Sequence, residues 1–555
     1  MTTFSSYKRE DTFKQLESKE LDLLVIGGGI TGSGISLDAV TRGLNTGLVE
    51  MQDFAAGTSS RSTKLVHGGL RYLQQFEVKM VAEVGKERAI VYENGPHVTT
   101  PEWMMLPFHK GGNFGPLTTN VGLRVYDFLA GVKKGERRKM LGPDEALQKE
   151  PLIKKEDLKG AGYYVEYKTD DARLTIEVLK KAVQKGVHAV NYAKAVDLIY
   201  DQKNKISGIV VEDQISKETY KVYAKKIINA GGPWVDDLRE IDGSNKGKSL
   251  HLTKGVHLVF SKEQFPLQQA IYFDAPDGRM IFAIPRDKKT YVGTTDTSFK
   301  EGNIAHPTLT EADRDYLLHA INYMFPTLNM TVEDVESSWA GLRPLIADEG
   351  KDNPDEISRK DEIFISDSGL ISMAGGKLTG YRKMAEDAID TVVKQFKEDG
   401  ILYSKSETKH LPISGGEVGG SKGFKQFKDR KVEEGKALGL DVETAEMLIQ
   451  TYGSNVDMIF KLYQEGMGEA EDNQVDPVVF AELIYAIEYE SAYKPVDFFI
   501  RRTGALFFKI NWLKKHKDSV INYMAKALQW SDDQKEVYVA ELEQLMYEAV
   551  TPDKE

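Results

Sequence analysis

The sequence predicts an α/β protein (α+β overall) with three parts: a Rossmann-like domain assembled from separate segments, an antiparallel-sheet domain and an all-helical C-terminal domain. Three observations predict this organisation. A glycine-rich turn lies between an apolar strand and a helix near the N-terminus, further strands end in glycine turns, and helical periodicity prevails after about residue 398. The chain has 555 residues, of which 41% are hydrophobic, so it can bury several cores.

The first predicted strand is Leu21–Ile26, a near-continuous apolar run typical of a parallel strand buried on both faces. Gly27, Gly29 and Gly32 follow in the spacing G-x-G-x-x-G. A helix is predicted directly afterwards, over Ser33–Arg42. Gly27 allows a tight turn, Gly29 lets the backbone approach a pyrophosphate, and Gly32 allows close helix–strand packing. This combination predicts a Rossmann-like dinucleotide site.

The type of dinucleotide is indicated by the next strand. This strand is predicted over Leu44–Val49 and ends at Glu50, 18 residues after Gly32. A carboxylate at this position accepts hydrogen bonds from the ribose hydroxyls and repels a 2′-phosphate. The sequence therefore predicts FAD or NAD and excludes NADP.

Other segments are suited to completing the dinucleotide site. The hydroxyl-rich loop from Thr58 to Lys64 can donate hydrogen bonds to phosphates, although a solvated linker has a similar composition. Strands predicted over Lys225–Ala230 and Ile371–Ala374 each end at a glycine turn. A helix predicted over Tyr381–Phe396 would present its positive N-terminus to a negatively polarised cofactor ring.

Seven separated motifs, in order, carry a family resemblance. They are IGGGITGSGISLDAVTRG from Ile26, SSRSTKLVHGGLRYL from Ser59, DDARL from Asp170, NAGGPWV from Asn229, VGTTD from Val292, GLRPL from Gly341 and GGKLTGYRKMA from Gly375. With these motifs the chain resembles the FAD-dependent glycerol-3-phosphate dehydrogenases, specifically the quinone-linked, aerobic respiratory type of bacteria. Ser36 departs from the first motif, where the family usually has alanine.

The resemblance implies an FAD-binding domain of the glutathione-reductase/D-amino-acid-oxidase type. The expected domain limits are 18–80, 165–250 and 340–397 for the FAD-binding domain, 81–164 and 251–339 for the substrate-binding domain, and 398–555 for the helical C-terminal domain.

The residues themselves favour the same division. Strands of the substrate-binding sheet are predicted over His251–Phe260 and Met280–Pro285. In the C-terminal part, Asp476 before Pro477 and a capping box at Ser531 predict helix starts.

The expected cofactor is FAD, bound tightly and non-covalently, and no metal site is expected. The expected FAD contacts are Gly27, Gly29, Gly32, Glu50, Thr58, Ser59, Ser60, Lys64, Leu65, His67, Gly231, Trp234, Gly376, Lys377, Leu378 and Thr379. The HGG setting of His67 places this histidine against the flavin, where a covalent histidyl link is conceivable.

The substrate that the resemblance implies is glycerol 3-phosphate, a dianion. Carrying the family's site over position by position gives Arg71, Tyr72, His257, Arg343, Arg359 and Lys377. Several cations suit this substrate, because two or three can grip the phosphate while another faces the reacting oxygen. Without the family context, each arginine reads as a surface charge and His257 as an ordinary core or surface histidine.

The expected reaction oxidises the C2 hydroxyl, with hydride transfer to flavin N5 and formation of dihydroxyacetone phosphate. His257 is the favoured base, since an imidazole works near neutral pH. Arg343 would stabilise the developing alkoxide. His67 is the rival base.

The expected acceptor is a membrane quinone. Oxidases of the same family carry an extra segment in the middle of the chain, whereas Arg343 and Lys377 are only 34 positions apart here. A quinone acceptor implies peripheral association with the cytoplasmic face of the membrane. Phe498–Lys517 offers aromatic and basic residues for such a contact, and a core helix with a basic edge is the competing interpretation.

Three alternatives remain open at this stage: an oxidase that forms hydrogen peroxide, an amine or amino-acid oxidase of the same broad fold, and a non-catalytic FAD-binding redox sensor. Composition excludes other classes. The net charge is −12, which disfavours nucleic acid as a partner, and the absence of cysteine excludes thiol chemistry and iron–sulfur centres. No transmembrane run or signal peptide is recognised. A homo-oligomer is compatible with the sequence.

Overall fold

A computed structural model describes residues 4–67, 78–129, 134–348 and 361–554. Its strands, numbered in chain order, are β1 (Leu21–Ile26), β2 (Thr46–Val49), β3 (Leu65–Val66), β4 (Thr99–His109), β5 (Lys139–Leu141), β6 (Leu158–Thr169), β7 (His188–Val190), β8 (Ala193–Tyr200), β9 (Ile206–Asp213), β10 (Thr219–Asn229), β11 (Lys248–Ser261), β12 (Ala270–Asp274), β13 (Met280–Arg286), β14 (Lys289–Gly293), β15 (Thr297–Ser298), β16 (Ser337–Asp348), β17 (Glu362–Ile365) and β18 (Ile371–Ala374).

The α-helices precede, connect and follow these strands. They are Arg9–Ser18, Ile30–Thr41, Val78–Asn94, Pro116–Leu129, Pro143–Lys149, Asp171–Gln184, Val235–Ile241, Glu311–Met324, Tyr381–Glu398, Gly420–Ala437, Val442–Tyr452, Val456–Glu465, Met467–Asp472, Pro477–Tyr489, Ala505–Phe508, Ile510–Ala527 and Asp532–Glu548. Asp497–Arg502 is a short π-helix.

The first sheet has the order β17-β18-β10-β1-β2-β7, and β8 and β9 extend it from β10. β1 pairs in parallel with both β10 and β2. Leu23 and Val25 of β1 pack into the core that the helices cover, while Leu24 and Ile26 pack into a second core on the opposite face. The near-continuous apolar run therefore fills two cores at once, which confirms the predicted parallel strand.

The second sheet has the order β15-β11-β14-β13-β12-β4-β6-β3, with β16 paired to β11 and β5 paired to β6. It is antiparallel except where β12 pairs with β4. β16 and β6 both belong to this sheet, although the sequence assigned residues from 340 and from 165 to the FAD-binding domain. The cause for β16 is its long antiparallel register on β11, which runs from Val259 opposite Ser337 to Lys248 opposite Asp348. The cause for β6 is a similarly long antiparallel register on β4.

The C-terminal part is helical, as predicted. The Asp476 carboxylate accepts hydrogen bonds from the backbone N–H groups of Val478 and Val479, at 2.9 and 3.2 Å, and so caps the helix Pro477–Tyr489. Ser531 forms the predicted capping box with Gln534 at the start of Asp532–Glu548.

The segment Phe498–Lys517 forms a core element, so its interpretation as an interfacial helix is wrong. Phe498 and Phe499 are fully buried, and Arg501 and Arg502 are buried in ion pairs with Asp53. Its aromatic residues are needed for packing inside the protein, which leaves only a basic edge exposed. That exposed edge contains Lys509, Lys514 and Lys515. Among the described residues, no helix is both long and apolar enough to cross a membrane.

The C-terminal domain packs directly on the second sheet. The Trp339 ring on β16 lies 5.3 Å from the Phe507 ring, and the Tyr291 ring on β14 lies 5.8 Å from the Phe508 ring, centroid to centroid. The Ser337 hydroxyl donates a 2.5 Å hydrogen bond to the Phe507 carbonyl. The helical domain thus packs against the sheet that carries the predicted substrate residues His257 and Arg343.

Candidate active site

A cavity of about 750 Å³ lies where the two sheets meet. Its walls combine the glycine turn after β1, the end of β2, the loop Thr58–Lys64, the turn after β10, strands β11 and β16, and the turn after β18. The predicted site residues on its walls are Gly27, Gly29, Glu50, Thr58, Ser59, Leu65, His67, Gly231, Trp234, His257, Arg343, Gly376, Lys377, Leu378 and Thr379. Residues spread over 350 positions of sequence therefore share one site.

The glycine turn leaves no room for side chains. A Cβ on Gly32 would lie 1.9 Å from the Gly27 carbonyl oxygen, and a Cβ on Gly27 would lie 2.4 Å from the Ala230 carbonyl oxygen. Gly27 also has a φ of +114°, which favours glycine. This packing brings Gly29, at the N-terminus of the helix Ile30–Thr41, to the cavity wall. The positive end of that helix and its backbone N–H groups are suited to a pyrophosphate.

Glu50 has the geometry of a ribose-binding carboxylate. One oxygen accepts the Gly28 N–H at 2.6 Å and the other accepts the Gln52 N–H at 2.8 Å. Each oxygen keeps a lone pair for a hydroxyl group. Burial raises the pKa of Glu50, and the two backbone N–H groups oppose that rise by stabilising the charged form.

The hydroxyl-rich loop contributes less than predicted. Thr58 and Ser59 line the cavity, where Ser59 Oγ accepts the Ile30 N–H at 2.9 Å. Ser60 and Lys64 do not line it. The Lys64 ammonium points away, donating to Asp171 at 2.5 Å and to the Ser60 carbonyl at 2.9 Å. A buried ammonium needs a carboxylate partner, and Asp171 supplies it outside the cavity.

Four predicted substrate or catalytic residues line the cavity, and the charge of Arg343 acts on both histidines among them. His257 lies on β11, Arg343 on β16, Lys377 in the turn after β18, and His67 follows β3. Arg71, Tyr72 and Arg359, which the family resemblance also places in the substrate site, lie outside the described residues.

His257 is buried and neutral at physiological pH. Its Nε2 lies 3.1 Å from the Thr63 hydroxyl, while its Nδ1 has no hydrogen-bond partner among the described atoms. Its ring stacks on Trp339, with centroids 4.6 Å apart and planes 11° from parallel. Burial, followed by the positive charges of Arg343 and Lys64, lowers the pKa of His257 well below 6.5.

His67 has a similar electrostatic environment. Burial, then Lys377 and Arg343, lowers the pKa of this histidine to about 4. Its backbone is fixed by Thr379: the His67 N–H donates to the Thr379 hydroxyl at 3.1 Å, and that hydroxyl lies 3.2 Å from the His67 carbonyl. The turn after β18 therefore determines where His67 sits.

Arg343 is oriented by the loop between β14 and β15. Its guanidinium donates to the Asp296 carboxylate at 3.1 Å and to the Thr294 hydroxyl at 3.1 Å. The side chain is 32% exposed, so the group is held by the protein while still reachable from the cavity.

Sequence reasoning missed several supporting residues. Thr63 and Trp339 hold the two sides of His257, and Asp296 holds Arg343. Thr63 belongs to the hydroxyl-rich loop and Asp296 to the VGTTD motif. The sequence therefore marks both positions, although it does not indicate which side chain each of them contacts. No sequence motif marks Trp339 as a site residue, because its place opposite His257 follows from the β11–β16 register.

The residues present fit FAD on three observations: Gly27 and Gly32 sit where no Cβ fits, a helix N-terminus lies at the cavity wall, and Glu50 keeps lone pairs for hydroxyl groups. A family model described as FAD dependent oxidoreductase matches residues 22–382. A second, described as the C-terminal domain of alpha-glycerophosphate oxidase, matches residues 406–535. Fold and cavity together define an FAD-dependent oxidoreductase, and FAD is its cofactor.

Known relatives identify the family within the class of FAD-dependent oxidoreductases. The aerobic glycerol-3-phosphate dehydrogenase of Bacillus subtilis (strain 168) is 61% identical over 550 residues, covering 99% of both chains. The Staphylococcus aureus (strain bovine RF122 / ET3-1) enzyme of the same name is 57% identical over 547 residues, covering 98% of both. The chain belongs to the family of aerobic glycerol-3-phosphate dehydrogenases, which confirms the resemblance inferred from the motifs.

A solved structure agrees with this assignment, and a more distant one shares the fold. The glycerol-3-phosphate dehydrogenase from Bacillus halodurans, complexed with FAD, superimposes with a TM-score of 0.86 at 49% identity and covers 99% of both chains. L-alpha-glycerophosphate oxidase from Mycoplasma pneumoniae shares the fold, with a TM-score of 0.55 at 16% identity over 70% of this chain and 97% of that one.

The glycine turn gives a direct prediction. Gly32→Ala forces the turn and the helix apart, because the added Cβ would meet the Gly27 oxygen at 1.9 Å. We expect the purified variant to contain clearly substoichiometric FAD, measured from the ratio of flavin to protein absorbance. Gly468→Ala is the matched control, since a Cβ there meets nothing within 4 Å. Full FAD content in Gly32→Ala would contradict this account of the turn.

Proposed function

We propose that this chain oxidises sn-glycerol 3-phosphate to dihydroxyacetone phosphate and passes the electrons to a membrane quinone. Non-covalently bound FAD supplies the hydride acceptor, at flavin N5. The observation that supports the proposal is that His257, Arg343, Lys377 and His67 line the same cavity as the glycine turn and Glu50. The names of the curated relatives, aerobic glycerol-3-phosphate dehydrogenases, support the same substrate.

The charges around these side chains suit a phosphorylated alcohol. Arg343 and Lys377 are cations on the cavity wall. Burial is the main reason that both histidines are neutral, with Arg343 adding to the effect at each of them and Lys377 at His67. A dianionic phosphate is attracted by the cations, and a neutral imidazole accepts a proton from a hydroxyl. In this proposal Arg71, Tyr72 and Arg359 complete the substrate site.

His257 is proposed as the base that removes the C2 hydroxyl proton. In the tautomer whose Nε2 carries the proton, the Thr63 hydroxyl accepts it, and Nδ1 holds the free lone pair that a base needs. The stacked Trp339 ring keeps the imidazole plane fixed. A bound substrate dianion would raise the pKa of His257 from its low value in the free protein, which favours proton transfer to it.

Arg343 is proposed to stabilise the negative charge that develops on the C2 oxygen, and then the ketone oxygen. Its contacts with Asp296 and Thr294 hold the guanidinium in place before the substrate binds. A donor fixed in advance costs no reorganisation during the reaction.

The assignment of the base predicts unequal effects of two substitutions. In anaerobic stopped flow, His257→Gln should slow flavin reduction by glycerol 3-phosphate about 10²- to 10⁴-fold, the usual worth of a positioned base. His67→Gln is the matched comparison, because it makes the same replacement at the other histidine of the cavity wall. It should slow flavin reduction less than His257→Gln does. Unchanged reduction in the His257 variant at every pH would exclude His257 and favour His67.

A quinone is the proposed acceptor, with the protein bound peripherally to the cytoplasmic face of the membrane. The chain lacks cysteine, so FAD is its one evident redox centre and no thiol or iron–sulfur relay is available. Arg343 and Lys377 are only 34 positions apart, which leaves no room between them for the mid-chain segment of the related oxidases.

The acceptor is tested by reoxidation. After anaerobic reduction with glycerol 3-phosphate, a soluble quinone should reoxidise the flavin much faster than dissolved oxygen does. A peroxidase-coupled assay should detect little hydrogen peroxide during aerobic turnover. Fast oxygen-driven reoxidation with stoichiometric peroxide would overturn the quinone proposal and identify an oxidase.

A further inference from the structure

Two arginines of the C-terminal domain converge on one carboxylate of the FAD-binding domain. Arg501 Nε donates to Asp53 Oδ2 at 2.5 Å. Arg502 uses both terminal nitrogens, donating to Oδ2 at 2.8 Å and to Oδ1 at 2.9 Å. The Asp53 side chain is fully buried. Burial alone would raise the pKa of Asp53, but Arg502 and Arg501 lower it to about 2, so the carboxylate stays ionised.

Asp53 lies in the loop that carries the ribose-binding carboxylate. This loop begins at Glu50, whose side chain accepts the Gln52 N–H, and continues to Ala55, whose N–H donates to the Gly28 carbonyl at 3.1 Å. Ala55 has a φ of +64°, a conformation that alanine disfavours. Contacts from outside the loop are therefore needed to hold this shape.

The arginines are themselves held rigidly. Arg501 also donates to Asp497 at 2.6 Å, and Asp497 accepts the Tyr192 hydroxyl at 2.6 Å. Arg502 donates to the Glu490 carbonyl at 2.7 Å. Tyr192 in turn donates its backbone N–H to the Gln52 carbonyl at 2.7 Å, which closes a ring of contacts around the Glu50 loop.

Charge plays a smaller part than geometry. Burial is the main cause of the raised pKa of Glu50, the negative charge of Asp53 adds to the rise, and the positive charge of Arg501 opposes it. The arginine thus offsets part of the effect of the carboxylate that it pairs with, and ionised Glu50 is the form that accepts hydrogen bonds from both ribose hydroxyls.

We propose that Arg501 and Arg502 are positioning residues for FAD. Through Asp53 they fix the Glu50 loop, so the site binds the adenosine half of FAD with full affinity only when the C-terminal domain is docked. This inference rests on the FAD site and is independent of the proposed substrate and acceptor.

The test uses the full-length apoprotein and two probes, FAD and ADP. ADP carries the ribose and pyrophosphate but no flavin, so it reports on the adenosine half of the site. In Arg501→Met, the Kd values of both FAD and ADP should rise about tenfold or more. Lys431→Met is the matched control. Lys431 is also a buried cation of the C-terminal domain, but it pairs with Asp457 at 2.6 Å inside that domain. Its variant should bind both probes as the unsubstituted protein does.

Thermal melting separates positioning from general stability. A merely structural role would lower the Tm of the apoprotein and of the FAD-loaded protein together and leave the FAD-induced rise in Tm unchanged. A positioning role makes that rise smaller in Arg501→Met than in Lys431→Met.

Should Arg501→Met fail to fold, Arg501→Lys replaces it. Lysine keeps the charge but lacks the fork that spans Asp53 and Asp497, so ADP should again bind more weakly. Unchanged ADP affinity in the folded Arg501 variant would overturn the proposal.

Discussion

The active site depends on one close contact, between the turn after β1 and the first turn of the helix Ile30–Thr41. Gly32 packs so tightly on Gly27 that no side chain fits between them. This contact aims a helix N-terminus into the cavity and sets the distance from that terminus to Glu50. The second sheet then contributes His257 and Arg343 from β11 and β16, two strands that pair along their whole shared length. The cofactor turn and the proposed substrate residues are therefore positioned by backbone contacts of two different sheets.

Local charge, and not the net charge of −12, determines what the cavity is suited to bind. Buried cations such as Lys64 and Arg502 are paired with carboxylates, Asp171 and Asp53 respectively. On the wall of the proposed substrate site, Asp296 holds the partly exposed Arg343, and burial keeps two histidines neutral. An anionic substrate and a proton-accepting imidazole can coexist there because the imidazoles add no positive charge of their own until they take up a proton.

Much of the fold and part of the site could be predicted from the sequence. The strand β1, the glycine turn, Glu50 and the helix caps at Asp476 and Ser531 follow local rules of periodicity, spacing and capping. Lys64 could not be placed correctly, because its partner Asp171 is more than one hundred positions away and only the fold shows that it turns from the cavity. Trp339 and the Arg501–Asp53 pair depend on strand register and domain docking, which leave no local sequence signal. The same reason explains the error over Phe498–Lys517, since interfacial and core helices have similar compositions.

The central claim is that the protein binds glycerol 3-phosphate in the FAD cavity, beside Arg343 and Lys377, and oxidises it there. Anaerobic titration of the purified flavoprotein tests it most directly, with flavin absorbance as the readout and glycine and unphosphorylated glycerol as comparison substrates. The account predicts that glycerol 3-phosphate bleaches the flavin completely at low excess, while glycerol and glycine do not. A flavin that stays oxidised with glycerol 3-phosphate, or that glycine bleaches equally well, would contradict it.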